Sequence, residues 1–262
     1  MKNLRFIWLL IKYKFSRMMM FRADFFIAFL ADGAMFLIQL LTFETIYAHV
    51  DTIGGWTRGQ MIIFVGTFSM INALNMLIFF FGIIEIPGKI KRGDLDQYLT
   101  KPVNPLLRLT FESFNVGSIP LVVLSVLIVY YGVLVSGAEV SLPLAIAYAF
   151  FVLLMTLLWY DLELIFRSIT FFVMSDRGIE QMEGQFFEFS FKVPGVLYKG
   201  VFKVIFYFLI PYGIMSTVPT QLITGSISGG ALGTSALTVI AFTAFALWFW
   251  KFGLRHYKSA SS

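Results

Sequence analysis

The chain has no cysteine and only two histidines, His49 and His256. A disulfide framework and a thiolate metal site are therefore excluded. Both histidines lie outside the long apolar runs, so an intramembrane histidine site is excluded as well. Charge is scarce: 13% of the 262 residues are Asp, Glu, Lys or Arg, against roughly 25% in an average soluble domain. The nucleotide-phosphate loop G-x-x-x-x-G-K-[ST] is absent, as are H-E-x-x-H and G-x-S-x-G. The chain thus carries no recognisable means of cradling ATP, of zinc-dependent hydrolysis or of serine-based acyl transfer, and no catalytic residue can be named.

What is present is apolar surface. Hydrophobic residues make up 58% of the chain, aromatics 18%, with 31 phenylalanines. A soluble sphere of this size can neither hide that much apolar area nor cover it with so little charge, so the expected solvent is the lipid bilayer. The net charge of +5 then bears on membrane orientation, and nucleic acid is not an expected partner.

A helix needs roughly 20 apolar residues to cross a bilayer core of about 30 Å. Six segments qualify: 25–48, 61–84, 106–135, 142–165, 196–218 and 236–254. Barrel strands would need short alternating segments, and none occur. The expectation is an all-α integral membrane protein of six transmembrane helices forming one domain over 1–262. An even number of spans puts both termini on one side. All but Arg58 of the 20 basic residues then fall on that side, which the positive-inside rule identifies as cytoplasmic, with the cell membrane as the location. The first 22 residues do not read as a cleaved signal peptide, because the basic stretch is too long and Asp32 interrupts the apolar run. Leu4, Trp8, Ile11, Phe15 and Met18 recur at helical spacing, so 1–22 is expected to be an amphipathic helix lying in the interface.

The segment Ile86 to Pro105 lies between spans two and three. Pro87 suits a first helical turn, and Pro102 and Pro105 stop a helix. A short cytoplasmic helix of about three turns is expected over 86–100, with Ile90, Leu95, Tyr98 and Leu99 forming an apolar patch. That patch either packs on the chain's own loops and lipid headgroups or docks a cytoplasmic partner.

The run Ile90-Lys-Arg-Gly-Asp-Leu-Asp-Gln-Tyr-Leu-Thr-Lys-Pro102 resembles the G-x-L-D-x-x-L-x-K-P pattern of permease subunits of type-2 ABC exporters. The matching residues are Gly93, Leu95, Asp96, Leu99, Lys101 and Pro102, and the likeness in layout extends over the whole chain. The resemblance implies that 86–100 is a coupling helix seated in a cleft of a separate ABC ATP-binding subunit, present as a dimer. Ile90, Gly93, Leu95, Asp96, Tyr98 and Leu99 would lie at that contact. It implies no cofactor on this chain, with ATP and Mg on the partner, and a second permease subunit, identical or related. It also implies short re-entrant helices between spans five and six, where Pro211 and Pro219 would break a straight helix.

Within the spans, Asp32 either lines a substrate path or pairs with a basic group of a cationic or amphipathic substrate, or else hydrogen-bonds a neighbouring span or partner permease. Asn72 and Asn75, one turn apart, either line that path or bond between helices. Glu163 and Arg167 are expected to pair across one turn. Segment 161–203 reads as a cytoplasmic connector, and Trp56, Trp159, Trp248 and Trp250 as interfacial aromatics. Two other functions fit an apolar chain. One is an ATP-independent secondary transporter or channel, which would show paired ionisable residues or inverted repeats. The other is a membrane-integral lipid-modifying enzyme, for which Asp161, Glu163 and Arg167 are the available cluster.

Overall fold

A computed structural model describes residues 22–173 and 177–257. The amphipathic helix expected over 1–22 therefore lies outside the described residues, except for Arg22. The helices in chain order are α1 (Arg22–Tyr47), α2 (Arg58–Ile78), α3 (Phe80–Ile83), α4 (Ile86–Arg92), α5 (Asp96–Leu99), α6 (Pro105–Phe111), α7 (Ile119–Ser136), α8 (Leu142–Ser168), α9 (Arg177–Lys192), α10 (Gly200–Val204), α11 (Tyr212–Met215), α12 (Thr217–Ile223) and α13 (Gly229–His256). No strand occurs among the described residues; an isolated bridge joins Ile53 and Trp56.

Among the described residues, α1, α2, α7, α8 and α13 are each long and apolar enough to cross a membrane. Their outward faces are apolar. Leu30, Ile38 and Leu41 on α1, Leu127 and Leu134 on α7, Ile146 and Phe150 on α8, and Leu237, Ile240 and Trp248 on α13 are all exposed. A contiguous apolar surface of this kind is unsuited to water and suited to lipid. The protein is a multi-pass membrane protein.

Local chemistry sets the frame. Thr57 and Gln60 form a capping box that starts α2. Pro120 opens α7, and Gly137, at φ 66°, ends it. α2 and α7 lie almost backbone to backbone because glycines of each helix face the backbone of the other. A Cβ at Gly66 would come within 2.8 Å of the Val129 nitrogen, and one at Gly132 within 2.7 Å of the Ile63 nitrogen. In lipid, where apolar side chains gain nothing by leaving solvent, such close approach is what holds helices together.

The bundle has two ends. One carries the Ile53–Trp56 turn, where the Tyr47 hydroxyl donates to the Trp56 carbonyl at 2.9 Å. The other carries the short helices α3 to α6, and there the Asn115 N–H donates to the Leu77 carbonyl at 2.9 Å. These are the turn end and the loop end. α8 starts at the turn end. α13 runs parallel to it: the Thr243 hydroxyl donates to Asp161 at 2.5 Å, and further along Trp250 meets Phe171 edge to face. The chain between them must therefore pass once from the loop end back to the turn end.

α9 makes that passage. Its first half lies at Arg167, through Glu183. Phe187 then meets Phe68 and Trp159, and Phe191 meets Phe36 and Phe68. Beyond the helix, Leu197 sits against Gly54 in the turn, where a Cβ on Gly54 would fall 2.7 Å from it. Residues 161–203 are thus not a peripheral connector. Nor is the span expected over 196–218 one continuous helix; it breaks at Pro211, where the resemblance had implied that re-entrant helices begin. Gly200–Leu209 and Tyr212–Ile223 are bent 79° apart, at the break marked by Pro211, whose ring removes a donor from the helical ladder. This broken pair begins beside the turn and leads back to the start of α13 at the same end, so it enters the bundle and returns. Gly195 fits this corner because a Cβ there would fall 2.3 Å from the Gly213 carbonyl oxygen, and its N–H donates to the Thr217 hydroxyl at 3.0 Å.

Candidate functional site

Two polar sites stand out. The first is at the loop end. The segment expected as one helix over 86–100 is two, α4 and α5, separated by Gly93 in the left-handed conformation at φ 76°. Only glycine adopts that conformation without strain. Leu95 is 0% exposed and Tyr98 is buried, packed with Ile83, Ile86, Leu109, Leu164 and Trp250. These two expected docking residues are therefore used by the chain's own core. Ile90, Gly93 and Asp96 are partly buried, whereas Leu99 is 42% exposed, in line with the exposed Arg92 and Gln97.

Beneath this hairpin, Lys89 donates to Glu85 at 2.5 Å and to Glu112 at 2.8 Å. The Tyr98 hydroxyl donates to the same Glu112 oxygen at 2.5 Å, and the Arg108 guanidinium lies over the Tyr98 ring at 4.4 Å. Burial alone would lower the Lys89 pKa; the hydrogen bonds and charges of Glu112 and Glu85 outweigh it and push it above the ordinary lysine value. Burial, reinforced by the Glu112 charge, raises Tyr98. Lys89 is therefore a permanent cation tying α4 to the end of α6. Glu112 is a structural acceptor here.

The second site is a cavity of about 400 Å³ between α1, α2, α8, α9 and the tip of the re-entrant pair. Asp32, Asn72 and Asn75, which the sequence singled out, all line it. They are joined there by residues that the sequence reading placed elsewhere. Trp159 is a buried wall of the cavity, not an interfacial anchor, and donates its indole N–H to Glu163 at 3.0 Å. Asn75 donates to the same Glu163 oxygen at 3.0 Å. The expected Glu163–Arg167 pair is replaced: Arg167 pairs with Glu183 of α9 at 2.6 Å and lies 3.9 Å from Glu180. The reason is geometric. Facing helices bring an opposite charge closer than one turn of the same helix does, and a buried guanidinium takes the shorter contact. Phe187, Phe191 and Tyr212 complete the wall.

Several atoms here have no hydrogen-bond partner: Asn75 Oδ1, Glu163 Oε2, Glu183 Oε1, Arg167 Nε and the Tyr212 hydroxyl. Buried polar groups are normally satisfied, so these lining residues need partners that the described part of the chain does not itself supply. Asp161, the third member of the sequence cluster, is held apart by Thr243. It does not converge with Glu163 and Arg167 on a reacting centre. One signal for α9 was legible: Glu183, Phe187 and Phe191 recur every fourth residue on one face.

A family model described as ABC-2 family transporter protein matches residues 34–261. No curated protein and no solved structure matches the chain.

Proposed function

The chain belongs to the ABC-2 transporter family, and on that premise we propose that it is the permease subunit of an ATP-driven exporter, forming half of the pathway beside a second, identical or related permease. The observation that carries the paired arrangement is the outer face of α9. Gln181, Gln185, Glu188 and Lys192 recur at spacings of four, three and four and are all exposed, on a helix that traverses the bundle. Turned to lipid, each charge would cost several kcal/mol. Turned to a second permease across a wet seam, the stripe is solvated and becomes a pathway wall.

ATP and Mg belong to a separate dimer of ATP-binding subunits, since this chain has no phosphate loop. The exposed edge of the α4–α5 hairpin, with Arg92, Gln97 and Leu99, is its docking face. Displacement there passes through the Lys89–Glu112–Tyr98 cluster into α6 and the start of α7. The loop end is cytoplasmic, with both termini on that side. Lys89, Lys91, Arg92, Lys101, Arg108, Arg167, Lys251 and Arg255 gather there, while α9's passage assigns Lys192, Lys199 and Lys203 to the side of Arg58. The basic excess still favours the loop end. The location is the cell membrane.

Mild-detergent purification of the full chain from its host, with mass spectrometry, tests the proposal. An ABC ATPase at stoichiometric level is expected, and its loss in Leu99→Asp with the chain still folded. Recovery of folded chain with no ATPase under several mild conditions overturns it.

A further inference from the structure

We propose that the cavity walled by α1, α2, α8 and α9 is a binding site for an organic cation bearing N–H donors, an ammonium or guanidinium on an apolar body. The inference rests on the transport reading for its purpose but not for its chemistry.

The floor is rich in acceptors. Asn75, Glu163 and Glu183 are 1%, 3% and 7% exposed; each lines the cavity and each carries a buried oxygen without a partner. A buried acceptor left unmatched is costly, and a ligand N–H donor relieves that cost. The charge balance gives the same sign. Asp32, Glu163, Glu180 and Glu183 line the space against Arg167 alone among the lining residues, and Arg167 is already engaged by Glu183 and Glu180. An anionic ligand would face four carboxylates. Arg167 Nε, unpartnered, adds a donor for an acceptor atom elsewhere on the ligand.

The walls fit the rest of such a molecule. Phe36, Trp159, Phe187, Phe191 and Tyr212 surround the carboxylates, and aromatic faces attract cations, Trp best of all. The volume of about 400 Å³ lies within the range of small-molecule sites. A metal ion fits less well, since no group of three or more potential ligands converges among the described residues. The half-buried Asp32 and the exposed Met35 and Ile84 are at the rim, so the ammonium enters past a carboxylate and settles on more deeply buried ones.

The test uses the purified full chain in lipid nanodiscs, without ATP, with ethidium fluorescence as the reporter. Three competitors share one skeleton: 4-phenylbutylamine, 4-phenylbutanol and 4-phenylbutyrate. The amine is expected to displace ethidium at about tenfold lower concentration than the alcohol, the size of one charge-assisted hydrogen bond, and the butyrate not at all. That advantage is expected to shrink about tenfold in Glu163→Gln and several-fold in Asp32→Asn. Equal displacement by amine and alcohol overturns the proposal. So does an advantage undiminished in both variants, or no saturable ethidium binding to the unaltered chain. Should a variant fail to fold, the three head groups on the unaltered chain decide the matter. Because no ATPase takes part, this result is independent of co-purification: absence of a partner ATPase would refute the exporter reading while cation binding would leave this one standing.

Discussion

The loop-end cluster and the cavity cluster are built from the same parts and end in opposite states. Each has one buried cation, Lys89 or Arg167, held by acidic residues from a second element. Around Lys89 the set is closed: no buried side-chain atom of Lys89, Tyr98 or Glu112 lacks a partner among the described residues. Around Arg167 it is open, with unmatched atoms on Asn75, Glu163, Glu183, Arg167 and Tyr212. A closed network is rigid and suits an element that must transmit a push. An open one stores unsatisfied interaction for a ligand to complete. In the roles proposed for them, lever and receptor differ in whether every buried polar atom has a partner.

The comparison is broken most forcefully at Arg167. Arg167→Met leaves Glu183 buried without its cation, and a loss of about 3–5 kcal/mol is expected. The measurement is thermal unfolding of the detergent-solubilised chain by tryptophan fluorescence. Adding Glu183→Gln should recover much of the loss; no recovery would mean that Arg167 acts through packing alone. Lys89→Met is expected to cost less, about 1–3 kcal/mol, because Glu85 is half exposed and Glu112 keeps the Tyr98 donor. Since the folded Lys89 pKa is raised, its stabilisation is fully present below the ordinary lysine value of about 10.5 and is lost only as pH rises through the folded value. The gap between wild type and Lys89→Met should therefore hold constant from neutral pH to about pH 9. Tyr98→Phe removes one hydrogen bond to Glu112 and should cost about 1 kcal/mol. If it also weakens ATPase-coupled activity while leaving ethidium binding unchanged, lever and receptor are separable.

Most of the loop end was legible. Pro87, Gly93, Pro102 and Pro105 punctuate the segment by their backbone chemistry alone. What could not be read was which way the hairpin faces. Leu95 and Leu99 look equivalent in the sequence, yet the left-handed turn at Gly93 rotates α5 so that Leu95 meets Leu109 and Leu164 while Leu99 stays outside. In the cavity, Asp32, Asn72 and Asn75 announced themselves as polar residues in apolar runs. Glu183 did not, because α9 is too polar to register as a span and its neighbours in space are far away in the chain. Trp159 was misread for a related reason. Its distance along the chain from the end of an apolar run suggested the interface, but α8 continues to Ser168 and keeps the indole deep inside.

By itself, the sequence determined the solvent, the helical class, most of the crossings and the punctuation of the loop between spans two and three. These follow from composition, run length and backbone punctuation, which are local properties. Only the tertiary structure decided that α9 carries the chain back through the bundle and that Arg167 chooses Glu183 over Glu163. Those outcomes depend on which surfaces meet. A polar helix is tolerated inside a membrane bundle when facing helices supply its partners, and no window of hydropathy along the chain contains that information.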